Sequence, residues 1–385
     1  DITTGNVEEY LRLIDKNLSG LNNSRLKGSL NTTANTMTLD ADVPQFAYQQ
    51  FDFSNIRLEG VGTLDSLVLN GSATDATLSK GITLPQVNFS IRASNDVSDI
   101  IINTNSNIAI NQASLAAQIK TYNDGIPVLF HPTSFPLNGK NWSIEQGGEL
   151  NLRQSAVAHG QVILKEGPQE VKIETVASDI GTWNDLQVTL QNLNLGDLSP
   201  LLVKDMRIEG ALSGVIVAEN PTGKMMINAD LRGAQIRVDN DSIGDIVING
   251  RYNNVDGMLT ARGNNLDPDH KINFDLAMDL KDTADVFQDR ITLRPDNFQI
   301  KILERFVGTM FTDLQGTMTG DVNIVGEGSN GDFLAKVRLR NAGFKVVFTQ
   351  VPYTVEDTDI ELKRDFIDLN GIQIRDRQGN LGRIT

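Results

Sequence analysis

The chain has 385 residues, of which 33 are glycine and only 6% are aromatic, and it carries a formal net charge of −15. This acidity disfavours nucleic acid as a partner, because nucleic-acid binding relies on basic patches. The absence of cysteine excludes a disulfide framework, a thiolate metal site and a cysteine nucleophile. The length predicts two or three domains, and no run reaches the roughly 18 apolar residues of a membrane-spanning helix.

The beginning of the chain is predicted to form a short helix. Apolar residues recur at helical spacing from Val7 to Leu18. Asn6 is placed to cap this helix and Gly20 to end it. We expect the helix to close one end of the structure that follows.

A long series of strands is predicted after this helix. From Arg25 to Tyr122, short runs alternate apolar and polar residues, with turn residues about every 8 to 12 positions, which is typical of an all-β meander. Prolines and turn residues interrupt the pattern over residues 123–142. Strands resume from Glu149 to Leu190.

Two short helices are predicted to interrupt the strands, and each precedes a similar strand. The first begins near Asp197, and the second is amphipathic and runs from Ile300 to Phe311. The strand sequence Ile208–Gly214 resembles Leu314–Gly320, so that Gly210 corresponds to Gly316, at an offset of 106 residues (316 − 210).

A second correspondence supports an internal repeat. Leu231–Ala234 resembles Leu339–Ala342 at an offset of 108 residues (342 − 234). We therefore predict a degenerate repeat of about 100 residues, and repeats stacked end to end give elongated structures. The predicted regions are a helix at 1–20, repeated strands at 21–195 and 196–297, a helix at 298–312, and a C-terminal strand module at 313–385.

The last region has the most regular alternation of the chain. One strand face is uniformly apolar and the other polar or charged, and no helix within the region is long enough to cover the apolar face. The face is either sealed within a sandwich or barrel, or open as a groove for a foreign apolar molecule. The predicted fold class is all-β, an elongated curved sheet that forms an open groove, built from degenerate repeats with short interrupting helices.

The alternation also selects candidate residues for the lining of the groove. They share the apolar face of their strands: Ile272, Phe274, Leu276, Met318, Val322, Ile324, Val337, Leu339, Phe344, Val346, Phe348, Ile360, Leu362, Ile367 and Leu369. The period fixes which residues share a face, but not whether that face is open.

No catalytic constellation is found, and the protein is predicted not to be an enzyme and to need no cofactor. The three histidines lie in or near turns and not at metal-ligand spacing. Asp239–Asp245 has spaced carboxylates for weak Ca²⁺ binding but lacks a closing bidentate glutamate, which favours a plain polar turn. Neither a nucleophile elbow nor a phosphate loop occurs.

The C-terminal region resembles the conserved C-terminal region of the TamB family, the translocation and assembly module of bacterial outer-membrane biogenesis. The motifs are Leu-Gln-Gly-x-x-x-Gly from Leu314, Arg-Asn-Ala-Gly-Phe-Lys-Val from Arg340, and Asp-Leu-Asn-Gly-Ile-x-Ile-Arg-Asp-x-x-Gly from Asp368. The segment from Phe135 to Trp142 is similar to the Bacteroidetes branch. These motifs cover about the last 90 residues, and we interpret the chain as a fragment of a longer protein.

The resemblance implies a periplasmic protein, anchored in the inner membrane by a segment outside this chain, with an open β-taco whose interior is apolar. It implies phospholipid acyl chains or nascent outer-membrane β-strands as clients and an Omp85-type outer-membrane barrel as partner. Two alternatives stay open. A closed β-sandwich or β-solenoid adhesin would bind no lipid, and a polysaccharide-active β-solenoid would need clustered aromatics and paired carboxylates, which this sequence lacks.

Overall fold

Antiparallel strands dominate the computed structural model of this chain. It describes residues 1–15, 17–48, 51–79, 82–104, 113–137, 139–154, 159–202, 207–239, 241–281, 289–326, 332–363, 366–368 and 371–383. Across these ranges the helices are few and short, and none of the large antiparallel sheets closes into a barrel. The predicted all-β fold class is confirmed.

The chain divides into two compact units, Asp1–Met226 and Ile227–Thr385. The elements of the first unit are β1 Ile2–Thr3, α1 Glu8–Ile14, β2 Leu18–Gly20, β3 Arg25–Asn31, β4 Thr36–Tyr48, β5 Phe51–Gly62, β6 Ser66–Ser79, β7 Ile82–Ser94, β8 Val97–Thr104, β9 Ala113–Lys120, β10 Gly125–Phe130, β11 Thr133–Leu137, β12 Lys140–Ile144, β13 Gly148–Arg153, β14 Gly160–Glu166, β15 Gln169–Ala177, β16 Asn184–Asn194, α2 Leu195–Leu202 and β17 Ile208–Glu219.

The strands of the first unit are ordered as in a meander. One sheet runs β1-β3-β4-β5-β6-β7-β8-β9-β10-β13, with β2 paired to β4. A second set of strands, β11-β12-β14-β15-β16-β17, continues in chain order from the segment that the prolines interrupt. Because hairpin connections join nearly all of these strands, each side chain's face follows directly from its place in the register.

The N-terminal helix is shorter than the periodicity predicts. α1 ends at Ile14, and Leu18 already belongs to β2, where it pairs with Tyr48. Val7, not Asn6, is the N-cap residue, and its N–H donates to Asn22 Oδ1 at 2.7 Å. No residue of α1 is buried. The strand pairing of Leu18 satisfies backbone groups that another helical turn would leave to water, which is why the helix stops.

The second unit begins one residue into β18, and its elements also follow in chain order. They are β18 Met226–Val238, β19 Asp241–Asn253, β20 Met258–Asn265, β21 Lys271–Asp279, β22 Arg290–Asp296, β23 Phe298–Gln299, a 3-10 helix Ile300–Leu303, α3 Glu304–Val307, β24 Phe311–Val325, β25 Asp332–Val346, β26 Pro352–Val355, β27 Thr358–Lys363, β28 Phe366–Asp368, β29 Gln373–Asp376 and β30 Leu381–Arg383.

The predicted amphipathic helix from Ile300 to Phe311 is only partly helical. A 3-10 helix and α3 occupy residues 300–307, here called the cap segment, and Phe311 pairs with Val346 as the first residue of β24. Pairing with β25 satisfies the backbone of Phe311 and places its ring edge-on to Phe344, with 4.9 Å between the ring centroids. These contacts outweigh the local helical pattern.

The internal repeat extends to backbone conformation. Gly210 and Gly214 have φ of 122° and 145°, and the corresponding Gly316 and Gly320 have φ of 99° and 151°. Such positive values are open to glycine but strained for other residues. Each pair lies in a long strand that follows a short helical segment, so the helix-then-strand module predicted from the sequence is present twice.

Two further residues with positive φ mark the repeat, each with a hydroxyl as hydrogen-bond partner. The N–H of Asn192 (φ 51°) donates to Ser213 Oγ at 2.9 Å, and the N–H of Asn297 (φ 54°) donates to Thr319 Oγ1 at 2.9 Å. The offset is 105 residues (297 − 192). The hydroxyl therefore holds equivalent bulges in the two copies.

The second sequence correspondence has a different register in the structure. The N–H of Gln235 (φ 53°) donates to Asp245 Oδ1 at 2.8 Å, and that of Asn341 (φ 48°) donates to Asp357 Oδ1 at 3.1 Å. These equivalent bulge residues are offset by 106 residues (341 − 235). The sequence similarity had matched Ala234 with Ala342, at an offset of 108. The backbone conformation, rather than residue identity, therefore shows which positions of the two repeat copies are equivalent.

Candidate apolar binding faces

Six of the fifteen residues predicted to line the groove belong to a packed core. The following candidates are buried in one cluster of the second unit: Ile272, Met318, Val322, Val337, Leu339 and Leu362. Val322 and Met318 are each 2% exposed. This apolar side of the sheet, here called the second apolar face, is therefore sealed around these residues.

The remaining described candidates border this core. Phe344 and Ile360 pack against the cluster while partly buried. Four others are half-buried on their strands: Phe274, Leu276, Ile324 and Val346. Ile291 pairs with both Leu276 and Ile324, so these three form a row at the margin of the core. The structure thus brings the candidates together on one face, with a sealed centre and a less buried margin.

The prediction for Phe348 is wrong. Strand β25 ends at Val346, and Phe348 lies in the following turn with 96% of its surface exposed. The turn brings Gln350 N–H to the carbonyl of Val346 at 2.8 Å, which ends the alternation two residues before the sequence pattern does. Two further candidates, Ile367 and Leu369, lie outside the residues whose side chains the structure describes.

The cap segment contributes to this seal. Ile300 and Leu303 are 4% and 7% exposed and belong to the same cluster as Met318 and Leu339. Ile300 and Leu303 both precede Asp313, so this cover lies outside the region 313–385, in which the sequence offers no helix long enough to cover the face.

A second large apolar surface lies in the first unit, where no candidate was named. Registered pairs carry apolar rows across β3 to β9: Leu26–Ala41–Leu58–Gly71–Phe89–Ile102–Leu115, and Leu39–Gly60–Leu69–Ile91–Ile100–Ala117. A third row adds Leu30, Met37, Leu67 and Ile119. These rows are here called the first apolar face.

The first apolar face is not sealed. Its small residues, such as Ala41 and Ala117, are buried, whereas its large side chains are half-buried or exposed. Ile102 is 37% exposed and Leu30 59% exposed. Large unsealed apolar surfaces usually mark interaction sites. The same alternation that selected the C-terminal candidates was present here and would have found this face.

Gly71 shapes the first apolar face. A Cβ at this position would lie 2.3 Å from the Phe89 ring and 2.8 Å from Leu58 Cδ2. The glycine therefore lets the two large neighbours lie over its backbone, which smooths the face and spreads one continuous apolar surface across three strands.

The first apolar face opens into a cleft at its turn end. Met37, Leu67 and Ala93 line a space of about 540 Å³ together with the mostly polar turn residues at 63–66 and 94–98. An apolar floor with a polar rim is the arrangement expected where a ligand is apolar along its length and polar at one end.

The two sets of strands in the first unit meet at one apolar seam. Leu115 and Phe130 pack against a buried group of Ile144, Leu150 and Val162. Because Leu115 belongs to a row of the first apolar face, the seam bounds that face on the β9 side.

The opposite side of the sheet in the second unit carries alternating charges. Arg262 Nε lies 3.1 Å from Asp275 Oδ1, and Arg294 contacts Asp275 and also Asp321, at 3.8 Å. Further along, Lys336 and Lys363 flank Glu361. The hydrogen bond from Lys363 holds the pKa of Glu361 below its usual value. These exposed pairs mark a solvated face, opposite the side that forms the core.

The polar motifs have partners within the protein. In the acidic segment, Asp241 lies 3.5 Å from Lys301 Nζ, and Asp245 accepts the bulge N–H of Gln235. His270 Nδ1 lies 3.6 Å from Asp267. Over the described residues, no group of three or more histidine, aspartate or glutamate side chains is placed to hold a metal ion.

Comparison with protein-family models, with curated proteins and with solved structures gave no match to this chain. Within the part of the chain that the structure describes, no helix is long and apolar enough to cross a bilayer.

Proposed function

We propose that this protein is a periplasm-spanning component of outer-membrane biogenesis, in the manner of the TamB family, and that it acts by binding rather than by catalysis. It carries phospholipid acyl chains between the inner and outer membranes on an apolar surface, or assists the assembly and translocation of outer-membrane proteins. The anchor in the inner membrane and most of the contact with an Omp85-type barrel lie in segments outside this chain.

The observation that carries the proposal is the unsealed first apolar face. An acyl chain needs contact with carbon atoms and no hydrogen-bond partner. The rows across β3 to β9 offer such contact over seven strands, and neighbouring strands are about 4.8 Å apart, so the face is about 29 Å wide. This width suits acyl chains better than a compact ligand, and the cleft at the turn end, with the carboxylates of Asp65 and Asp96, suits the cationic amine of a zwitterionic headgroup.

The assembly role rests on a different feature, the edge of the same sheet. Among the described strands, β3 pairs along its length with β4 but on its other side only through the two residues of β1. Lys27 to Asn31 therefore present an unpaired backbone edge, where a nascent strand can add by β-augmentation. A strand client would bind this edge, whereas lipid would cover the face.

The alternative of a closed structural protein is favoured by one observation, the sealed second apolar face. If the first face were covered in solution as the second is, the protein would bind no lipid. The exposure of Leu30 and Ile102 supports the lipid proposal instead.

The test compares two neighbouring residues that point to opposite sides of β6. Leu69→Asp places a charge in the first apolar face, and Val68→Asp places the same charge on the polar side, where Val68 pairs with Val61 and Arg92. The purified proteins are analysed by native mass spectrometry and lipid extraction, and circular dichroism checks that both variants remain folded.

We expect phospholipid to copurify with the parent and with Val68→Asp. Leu69→Asp should stay folded and carry at least tenfold less phospholipid than the parent. Equal lipid in all three proteins, or none in the parent, would contradict binding at this face. Lipid-free parent protein that still captures unfolded outer-membrane protein at β3 would favour the assembly role alone.

A further inference from the structure

The second unit contains a small cavity beneath the cap segment. Ile300, Leu303 and Val307 form its roof, and its floor includes Ala342, Val355 and Ile372. Its volume is about 80 Å³, and every lining residue is apolar or glycine. A water molecule would find no hydrogen-bond partner there, so the space favours hydrocarbon. An apolar cavity of about 150 Å³ holds benzene, so this one fits the last few methylene groups of a chain.

A larger polar cleft adjoins this cavity. The cleft, of about 780 Å³, and the cavity share three wall residues, Leu314, Gly343 and Phe344. The ring of Phe344 contacts Phe311 on the cavity side and Tyr353 on the cleft side, with centroid separations of 4.9 and 5.9 Å. The Phe344 ring therefore forms part of the wall between hydrocarbon space and a polar opening, together with Leu314 and the backbone of Gly343.

The cleft is lined by three cations, Lys301, Arg375 and Arg377, and by three carboxylates, Glu304, Asp313 and Asp376. Two of the cations are paired, Lys301 with Asp241 and Arg375 with Glu356. The carboxylates also have partners: Glu304 accepts the N–H of Leu314, Asp313 lies 2.7 Å from Lys345 Nζ, and Asp376 accepts the N–H groups of its own turn. Among the described residues, Arg377 is an exposed cation of the cleft without an ion-pair partner.

We propose that cavity and cleft together bind an anionic single-chain amphiphile, with its alkyl end in the cavity and its head beside Arg377, and with Phe344 as the movable wall between them. This site is separate from the first apolar face and does not depend on the transport proposed for that face. Two substitutions have opposite expected effects. Ala342→Leu fills the cavity, and Phe344→Ala opens it to the cleft.

The experiment is a titration of the full chain with decanoate, followed by the ¹³C-methyl NMR signals of the isoleucines. Butyrate serves as the control ligand, because it has the same carboxylate and too short a chain. We expect decanoate to shift the Ile300 and Ile372 methyl signals saturably and butyrate not to shift them. The apparent Kd should rise at least tenfold in Ala342→Leu, rise several-fold in Arg377→Gln and fall in Phe344→Ala.

Thermal unfolding confirms that the variants are folded. If Ala342→Leu is not folded, Val355→Ile replaces it, because this substitution also adds one methylene to the cavity. Unchanged affinity in the cavity-filling variant, or decanoate shifts confined to first-face methyls such as Ile100, would overturn the proposal. The second result would leave the proposed function standing, because it reports on the first apolar face alone.

Discussion

Ala335 and Ala342 are two small residues of the same strand and the same core, with different surroundings. Ala335 is 0% exposed and does not border the cavity, whereas Ala342 is 3% exposed and lines it. Protein cores are packed to the density of organic crystals, so an added methyl group is tolerated only where space exists. Fractional exposure does not distinguish these two positions, but the cavity does.

We therefore expect the same substitution to have opposite consequences at the two alanines. Ala335→Val overpacks the core and should lower the free energy of unfolding by about 1–3 kcal/mol. Ala342→Val places its methyl groups in the cavity and should leave that free energy unchanged or raise it by up to about 1 kcal/mol. Urea unfolding of both variants provides the measurement, and equal losses at the two sites would show that the cavity cannot accept a side chain.

At the scale of elements, the two copies of the repeat are held by the same hydrogen bond. In each, a residue with positive φ precedes a short helical segment and donates its N–H to a hydroxyl of the long strand that follows. The hydroxyl satisfies an N–H group that the bulge removes from the strand ladder, and this N–H is partly buried at Asn297 and exposed at Asn192. This bond orients the helical segment against its strand.

Removing the hydroxyl is expected to loosen both copies in the same way. Thr319→Val keeps the shape of the side chain but leaves the Asn297 N–H without its acceptor, at a cost of about 1 kcal/mol in free energy of unfolding. Ser213→Ala should act on Asn192 in the same direction but less strongly, because this N–H is exposed and water can replace the lost acceptor. Hydrogen exchange should quicken about fivefold at Asn297 in Thr319→Val and by a smaller factor at Asn192 in Ser213→Ala, and an effect in one copy only would contradict their equivalence.

These elements also show which structural features could be predicted from the sequence and why the others could not. Alternation with period two identified the strands and their faces, and the paired glycines identified the repeat, because both depend on local geometry. The end of α1 at Ile14 and the end of β25 before Phe348 depend on partners distant in sequence or on a turn. Whether Met318 or Leu69 is covered depends on which other segment packs on it. The alternation within a strand carries no information about that segment.

At the scale of the whole molecule, one sequence pattern produces two kinds of apolar face. In the second unit, the cap segment and neighbouring strands cover the centre of the face, and in the first unit the large side chains in the rows of the first apolar face remain half-buried or exposed. Sealed apolar surface stabilises the fold at about 25 cal/mol per Å² removed from water. Unsealed surface leaves part of that free energy available for a ligand.

The same charge introduced on the two faces should therefore separate stability from binding. Val322→Asp buries a carboxylate without a partner and should cost more than about 4 kcal/mol, enough to unfold the second unit. Leu69→Asp places the carboxylate at a half-buried position and should cost about 1 kcal/mol.

Because a chain of two units need not unfold in one step, hydrogen exchange followed by mass spectrometry should be measured for each unit. We expect Val322→Asp to remove protection from β21 to β27 and Leu69→Asp to leave protection in both units nearly unchanged. Loss of protection throughout β3 to β9 in Leu69→Asp would mean that the first face is a core like the second, because only a sealed face would unfold around a single charge.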